Sequence, residues 1–86
     1  MKEDTLRRLS TLIARLFARD LALRGSERFR EDLGLDSLDL VRLQVCVEDA
    51  WEIRFDPVND DLAAALTTVG ALVSLIESKR RGDPVP

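Results

Sequence analysis

Asp36-Ser37-Leu38-Asp39-Leu40-Val41-Arg42-Leu43-Gln44-Val45-Cys46-Val47-Glu48-Asp49-Ala50-Trp51 reads as one helix with two apolar faces. Leu40, Leu43, Val47 and Trp51 recur at gaps of three and four, which draws one stripe on a 3.6-residue repeat. Leu38, Val41 and Val45 draw a second stripe on another face. Asp36 is a good N-cap, and Asp39, three residues on, is the acidic member of a capping box, so the helix is expected to begin at Asp36-Ser37. A chain of 86 residues holds one core and cannot bury both stripes deeply. One stripe meets the core. The other stays partly exposed beside Asp39, Glu48 and Asp49, the pattern of a docking surface rimmed by charge.

The flanks extend this reading. Residues 5–19 carry Leu6, Leu9, Ile13, Leu16 and Phe17 on one stripe, with Arg7, Arg8, Arg15 and Arg19 on the other faces and Asp4 or Thr5 as N-cap. Residues 20–36 lose the period. Gly25, Ser26 and Gly34 mark a long connection whose Leu21, Leu23, Phe29 and Leu33 are expected to plug the core. A connection of this length in a small domain is often functional. Downstream, Ile53-Arg54-Phe55 reads as extended, and Asp56-Pro57 stops any helix. A short helix is expected within Asp60 to Leu66. A last helix follows, capped by Thr67 or Thr68, with Val69, Leu72, Val73 and Ile76 on its core face. Residues 1–80 form one domain in this reading, and 81–86 a frayed tail. The fold class is an all-α four-helix bundle, three main helices and one short one, with a long first connection.

Composition narrows the chemistry. The chain is 45% hydrophobic and 34% charged, and it has one cysteine and no histidine. A single cysteine forms no internal disulfide, and a Cys/His zinc site cannot be built. Ser–His and Cys–His nucleophilic catalysis cannot be assembled within the chain, so it is expected not to be an enzyme. Cys46, among Val45 and Val47, is expected to be a small buried hydrophobe. No signal-peptide pattern or bilayer-length apolar run is present, which points to the cytoplasm and away from membranes. Residues 1–30 hold 8 basic and 4 acidic side chains; residues 31–61 hold 2 basic and 10 acidic. The acidic middle repels nucleic acid and attracts basic protein surfaces.

Ser37 is the candidate functional residue. It falls in the first turn of the central helix, where unpaired N–H groups and the positive end of the helix dipole favour a phosphate ester. Without a nearby base it is a poor nucleophile by itself and is better read as a hydroxyl that another enzyme modifies.

The stretch Phe29-Arg30-Glu31-Asp32-Leu33-Gly34-Leu35-Asp36-Ser37-Leu38-Asp39 closely resembles the modification site of acyl carrier proteins. Thirty residues past Ser37, Thr67-Thr68-Val69-Gly70 resembles the segment that opens the family's last helix, and the resemblance spans about residues 5–78. It implies a covalent 4′-phosphopantetheine on Ser37, in the attachment motif Asp36-Ser37, transferred from coenzyme A by a phosphopantetheinyl transferase. Acyl groups would ride on the arm as thioesters. Leu38, Val41 and Val45 would match the apolar strip shown to partners, and Asp39, Glu48 and Asp49 its acidic frame. The implied partners are loading and processing enzymes of fatty acid, polyketide or related secondary-metabolite synthesis: ketosynthase, acyltransferase or ligase, and thioesterase types with basic docking patches. Carriers of this kind are usually monomers. Arg42 stands within the docking face where fatty-acid-synthesis carriers typically have glutamate, which favours a dedicated partner set or is a neutral surface exchange. An aminoacyl or peptidyl carrier, or an unmodified helical adaptor, are the alternatives.

Overall fold

A computed structural model describes residues 2–18 and 23–81. Four helices follow in order: α1 (Lys2–Leu16), α2 (Ser37–Trp51), α3 (Leu62–Ala65) and α4 (Val69–Arg81). α1 packs along both α4 and α2, and α3 rests on α4. Leu9 and Ile13 of α1 meet Leu40, Leu43, Val47 and Trp51 of α2 and Val69, Leu72, Val73 and Ile76 of α4 in one buried cluster. Phe29, Leu33 and Leu35 from the long connection complete it, with Phe55 from the segment after α2. The expected plug residues Phe29 and Leu33 are buried and Leu23 is half-buried, while Arg19 and Leu21 lie outside the described residues. Of the expected tail 81–86, Arg81 is instead the last residue of α4, and 82–86 lie outside the described residues.

α1 departs from the sequence expectation at both ends. It starts at Lys2, with Glu3 and Asp4 in its first turn against the positive end of the helix dipole. Asp4 and Thr5 are therefore helical residues and not N-caps. Thr5 is fully buried and its hydroxyl donates to the Glu77 carboxylate on α4. The helix ends at Leu16, short of Arg19, because Ala18 takes a left-handed conformation at φ 54°. Phe17 is consequently half-buried beside the core and not inside it.

α2 runs as its sequence indicates. It closes at Glu52, which adopts the left-handed conformation (φ 54°, ψ 48°) and donates its N–H to the Glu48 carbonyl. The Ile53 N–H bonds the same carbonyl at 3.0 Å. The short helix shrinks to Leu62–Ala65, N-capped by Asp61, whose carboxylate accepts the Ala64 N–H at 3.1 Å. Thr68 caps α4 by accepting the Ala71 N–H at 3.1 Å.

The long connection is tied to the start of α4 through the backbone. The Gly70 N–H donates to the Gly25 carbonyl at 2.7 Å, the Val69 N–H to that of Glu27 at 2.9 Å, and the Phe29 N–H to that of Thr67 at 3.1 Å. Arg28 and Thr68 form an isolated antiparallel bridge at this seam. Two donors that a helix start leaves unpaired are thus satisfied by loop carbonyls. The approach is close: a Cβ on Gly70 would lie 2.8 Å from the Gly25 carbonyl oxygen, and Gly25 itself sits at φ +114°.

After α2, a tight turn is pinned to α4. The Asp60 carboxylate accepts the Asp56 N–H at 2.7 Å and pairs with Lys79 at 2.6 Å. The Asp56 carboxylate accepts from the Val58 N–H at 2.9 Å and from the Asn59 side chain at 2.6 Å. These donors hold both acids below the ordinary carboxylate range: for Asp60 the Asp56 N–H leads and Lys79 follows, and for Asp56 the Val58 N–H leads and Asn59 follows.

Two outcomes follow from this packing. Gly70→Ala gains up to about 1 kcal/mol of helix propensity. It forces a backbone displacement that costs about 1–3 kcal/mol when a packed site is overfilled. The urea midpoint is expected to fall. For the acids the folded pKa is depressed, so their stabilisation is complete above the unfolded Asp value of about 3.9 and is lost as pH falls from there through the folded value. Thermal melts should be flat above about pH 5 and decline below about pH 4, with a shallower acid limb in Asp60→Asn.

Candidate functional site

The site is built where the long connection enters α2. Residues 28–35 form a compact turn: the N–H groups of Asp32 and Leu33 bond the Arg28 carbonyl at 2.9 and 3.1 Å. The Gly34 N–H bonds Arg30 at 3.1 Å, and the Leu35 N–H bonds Phe29 at 3.0 Å. Gly34 supplies the left-handed residue, φ 68°, that reverses the chain. Phe29, Leu33 and Leu35 point into the core, so the turn is anchored from beneath. Outside, the Asp32 carboxylate accepts the Arg28 N–H at 2.8 Å and its Nε at 3.3 Å, which keeps Asp32 below the ordinary carboxylate range. Glu27 braces the loop further upstream by accepting the N–H groups of Arg24 and Gly25 at 2.7 and 2.8 Å. Its partial burial raises the carboxyl pKa, and these backbone donors outweigh that, leaving it lowered.

Asp36 is the N-cap of α2. Its carboxylate accepts the Asp39 N–H at 2.9 Å, and the Asp39 carboxylate accepts the Asp36 N–H at 3.1 Å, a closed capping box. Ser37 is the first helical residue and its side chain is exposed. The N–H groups of Ser37 and Leu38 belong to the first turn and have no acceptor within the helix. Arg30 Nη2 donates to Ser37 Oγ at 2.9 Å. An accessible hydroxyl, a helix start and a guanidinium on the oxygen itself fit a covalently attached phosphate group.

Beyond Ser37 the second apolar stripe of α2 lies open: Leu38 is 75% exposed, Val41 53% and Val45 59%. Asp49 is exposed on the same helix, and Asp39 and Glu48 are half-buried. Val45, Glu48, Asp49, Glu52, Ile53 and Arg54 line a shallow acidic depression at the helix end. Glu48 also has a structural task, since its carboxylate accepts the Phe55 N–H at 2.8 Å and holds the chain leaving α2. Arg42 is exposed, and its guanidinium lies 5.9 Å from the Phe17 ring centroid, so it has a packing role toward the end of α1. Cys46 is half-buried, and so less enclosed than its apolar neighbours indicate.

The structure thus brings Asp36, Ser37, Leu38 and Asp39 together at one end of α2 and spreads Val41, Arg42, Val45, Glu48 and Asp49 along it. Sequence reasoning missed Arg30 as a site residue. It sits seven positions before Ser37 in a non-helical turn, where no periodicity links the two, and only the fold of residues 28–35 brings it to the hydroxyl.

The family model described as the phosphopantetheine attachment site matches residues 7–76, which takes in the seam, the turn, all of α2 and most of α4. A helical bundle, an exposed serine at the head of its central helix and this match over most of the chain place the protein in the phosphopantetheine attachment family, as a carrier protein of the acyl-carrier type whose cofactor is 4′-phosphopantetheine.

Proposed function

We propose that Ser37 carries the 4′-phosphopantetheine arm and that residues 1–80 act as one non-catalytic carrier domain, presenting acyl intermediates to separate enzymes of fatty acid, polyketide or related secondary-metabolite synthesis. The observation that carries this reading is the exposed Ser37 hydroxyl at the start of α2, directly followed by an uncovered apolar strip. Carrier domains of this family work with a phosphopantetheinyl transferase and with biosynthetic enzymes generally, and they are generally non-catalytic. When bound, the arm supplies a terminal thiol that holds acyl groups as thioesters.

The chain's own residues supply placement and recognition. Ser37 Oγ takes the arm as a phosphodiester. Asp36 and Asp39 fix the helix start that aims this oxygen outward. Leu38, Val41 and Val45 offer apolar area beside the attachment point, so a docked enzyme meets the tethered cargo at high effective concentration. Asp49 and the acidic depression around it steer basic partner surfaces, a contribution that is largest in the encounter rate. Arg42 places a positive charge within this face while also lying near the Phe17 ring, so it fits a dedicated partner set or a neutral surface exchange. No helix among the described residues is long and apolar enough to cross a membrane.

Intact mass after incubation with coenzyme A, Mg²⁺ and a broad-specificity transferase tests the attachment. The native chain should gain one phosphopantetheine and Ser37→Ala none; an unmodified native chain that is folded overturns the assignment. Asp49→Lys tests the docking face more cleanly than a change at Glu48, which would also release the Phe55 N–H. The transferase reaction of Asp49→Lys should slow about two- to five-fold at low salt. The difference should close near 1 M NaCl, where the Debye length is about 3 Å.

A further inference from the structure

Arg30 stands among carboxylates, yet its hydrogen bond goes to a neutral hydroxyl. Glu31, Asp32, Asp36 and Asp39 all follow it within nine residues. Asp32 is taken up by Arg28, and Asp36 and Asp39 are closed into the capping box. The Arg30 guanidinium instead rests on Ser37 Oγ at 2.9 Å. A guanidinium has five N–H donors in a planar fork matched to phosphate oxygens, and a single bond to a hydroxyl uses little of that capacity.

We propose that Arg30 is the positioning residue for the arm: its guanidinium pairs with the phosphodiester on Ser37 and holds the base of the arm against the 28–35 turn. This rests on Ser37 being the attachment residue. Esterification converts Oγ into a bridging oxygen and places two oxygens sharing one negative charge on the phosphorus next to it. The cation already touching Oγ is then within reach of that charge, and the bond changes from a charged donor on a neutral oxygen to a charge-assisted pair. The charge also needs an offset. The carboxylates of Asp36 and Asp39 sit at the same helix start and repel an added anion, whereas Arg30 attracts it. The placement of Arg30 is rigid at the backbone, because Gly34 bonds its carbonyl at 3.1 Å and the preceding Phe29 is fully buried. Only the side chain must be ordered for the pair to form, which limits the entropic cost. Exposed pairs of this kind favour the bound geometry by about two- to five-fold, and salt screens them.

The experiment uses full-length chain loaded with the arm: native, Arg30→Gln and Arg30→Lys, with Ser37→Ala as the unmodified control. Intact mass first establishes loading, and urea midpoints establish that the exposed substitutions leave the fold in place. The readout is the ³¹P resonance of the phosphodiester, together with the fluorescence anisotropy of a dye carried in on a coenzyme A analogue. In the native protein the resonance should be displaced from its position in the urea-unfolded chain. Arg30→Gln should erase most of that displacement and lower the anisotropy, Arg30→Lys should retain part of both, and 1 M NaCl should move the native protein toward Arg30→Gln. A resonance and an anisotropy that coincide in native and Arg30→Gln, with loading complete, overturn the role of Arg30 alone. Absence of a mass gain at Ser37 overturns the attachment reading and this inference with it.

Discussion

The backbone seam between Gly25, Glu27 and Phe29 on one side and Thr67, Val69 and Gly70 on the other is the constraint on which the site depends. The connection between α1 and α2 has no helix of its own among the described residues, so its shape comes from elsewhere. The start of α4 supplies it. A helix start presents donors with no partner, and a glycine there lets another strand of backbone approach within hydrogen-bond distance. Once the seam is made, Phe29 drops into the core, the 28–35 turn closes above it, and Asp36 arrives where it can cap α2. The exposed chemistry at Ser37 is thus positioned by contacts with a helix 32 residues further along the chain.

The acidic middle of the chain divides its labour. Asp32 clips a turn, Asp36 and Asp39 cap α2, Glu48 holds the exit from α2, Asp56 and Asp60 shape the next turn, and Asp61 caps α3. Seven of the ten carboxylates in residues 31–61 therefore have backbone donors to satisfy. A run of acids in sequence reads as a charged face, but much of it is the cost of building a small helical domain with many chain reversals. Glu31, Asp49 and Glu52 are the members with no such backbone task, while the capping and turn acids keep their charge and add to the same external field. Recognition and folding draw on the same residues here, and Glu48 belongs to both.

How much could be read from the sequence follows from the range of each interaction. The capping box of α2, its buried stripe and its open stripe are local and periodic, so they were legible, as were the Thr68 cap and core face of α4. The ends of α1 were not. Ala is the best helix former, and nothing local announces that Ala18 turns left-handed. Thr5 looks like a cap until the fold buries it against Glu77, 72 residues away. Glu48 was placed on the docking frame by helical geometry, which is silent about the chain that returns after a left-handed residue at Glu52. Arg30 was invisible for the same reason: its meeting with Ser37 belongs to a turn and not to a repeat.

Trp51 ends α2 at the opposite pole from Ser37, fourteen residues and about 21 Å along the helix axis. It is the only tryptophan in the chain. Arg8 of α1 lies over its ring at 4.6 Å and spans onward to the Ala50 carbonyl, while the indole Nε1 is buried without a partner. The chain therefore carries one built-in chromophore, shielded from water, whose emission reports the joint between α1 and α2. Chemistry at the head of α2 is too distant to quench it directly. A change in its light on loading or acylation would be an optical measure of how far a modification at one pole is transmitted through the bundle to the other.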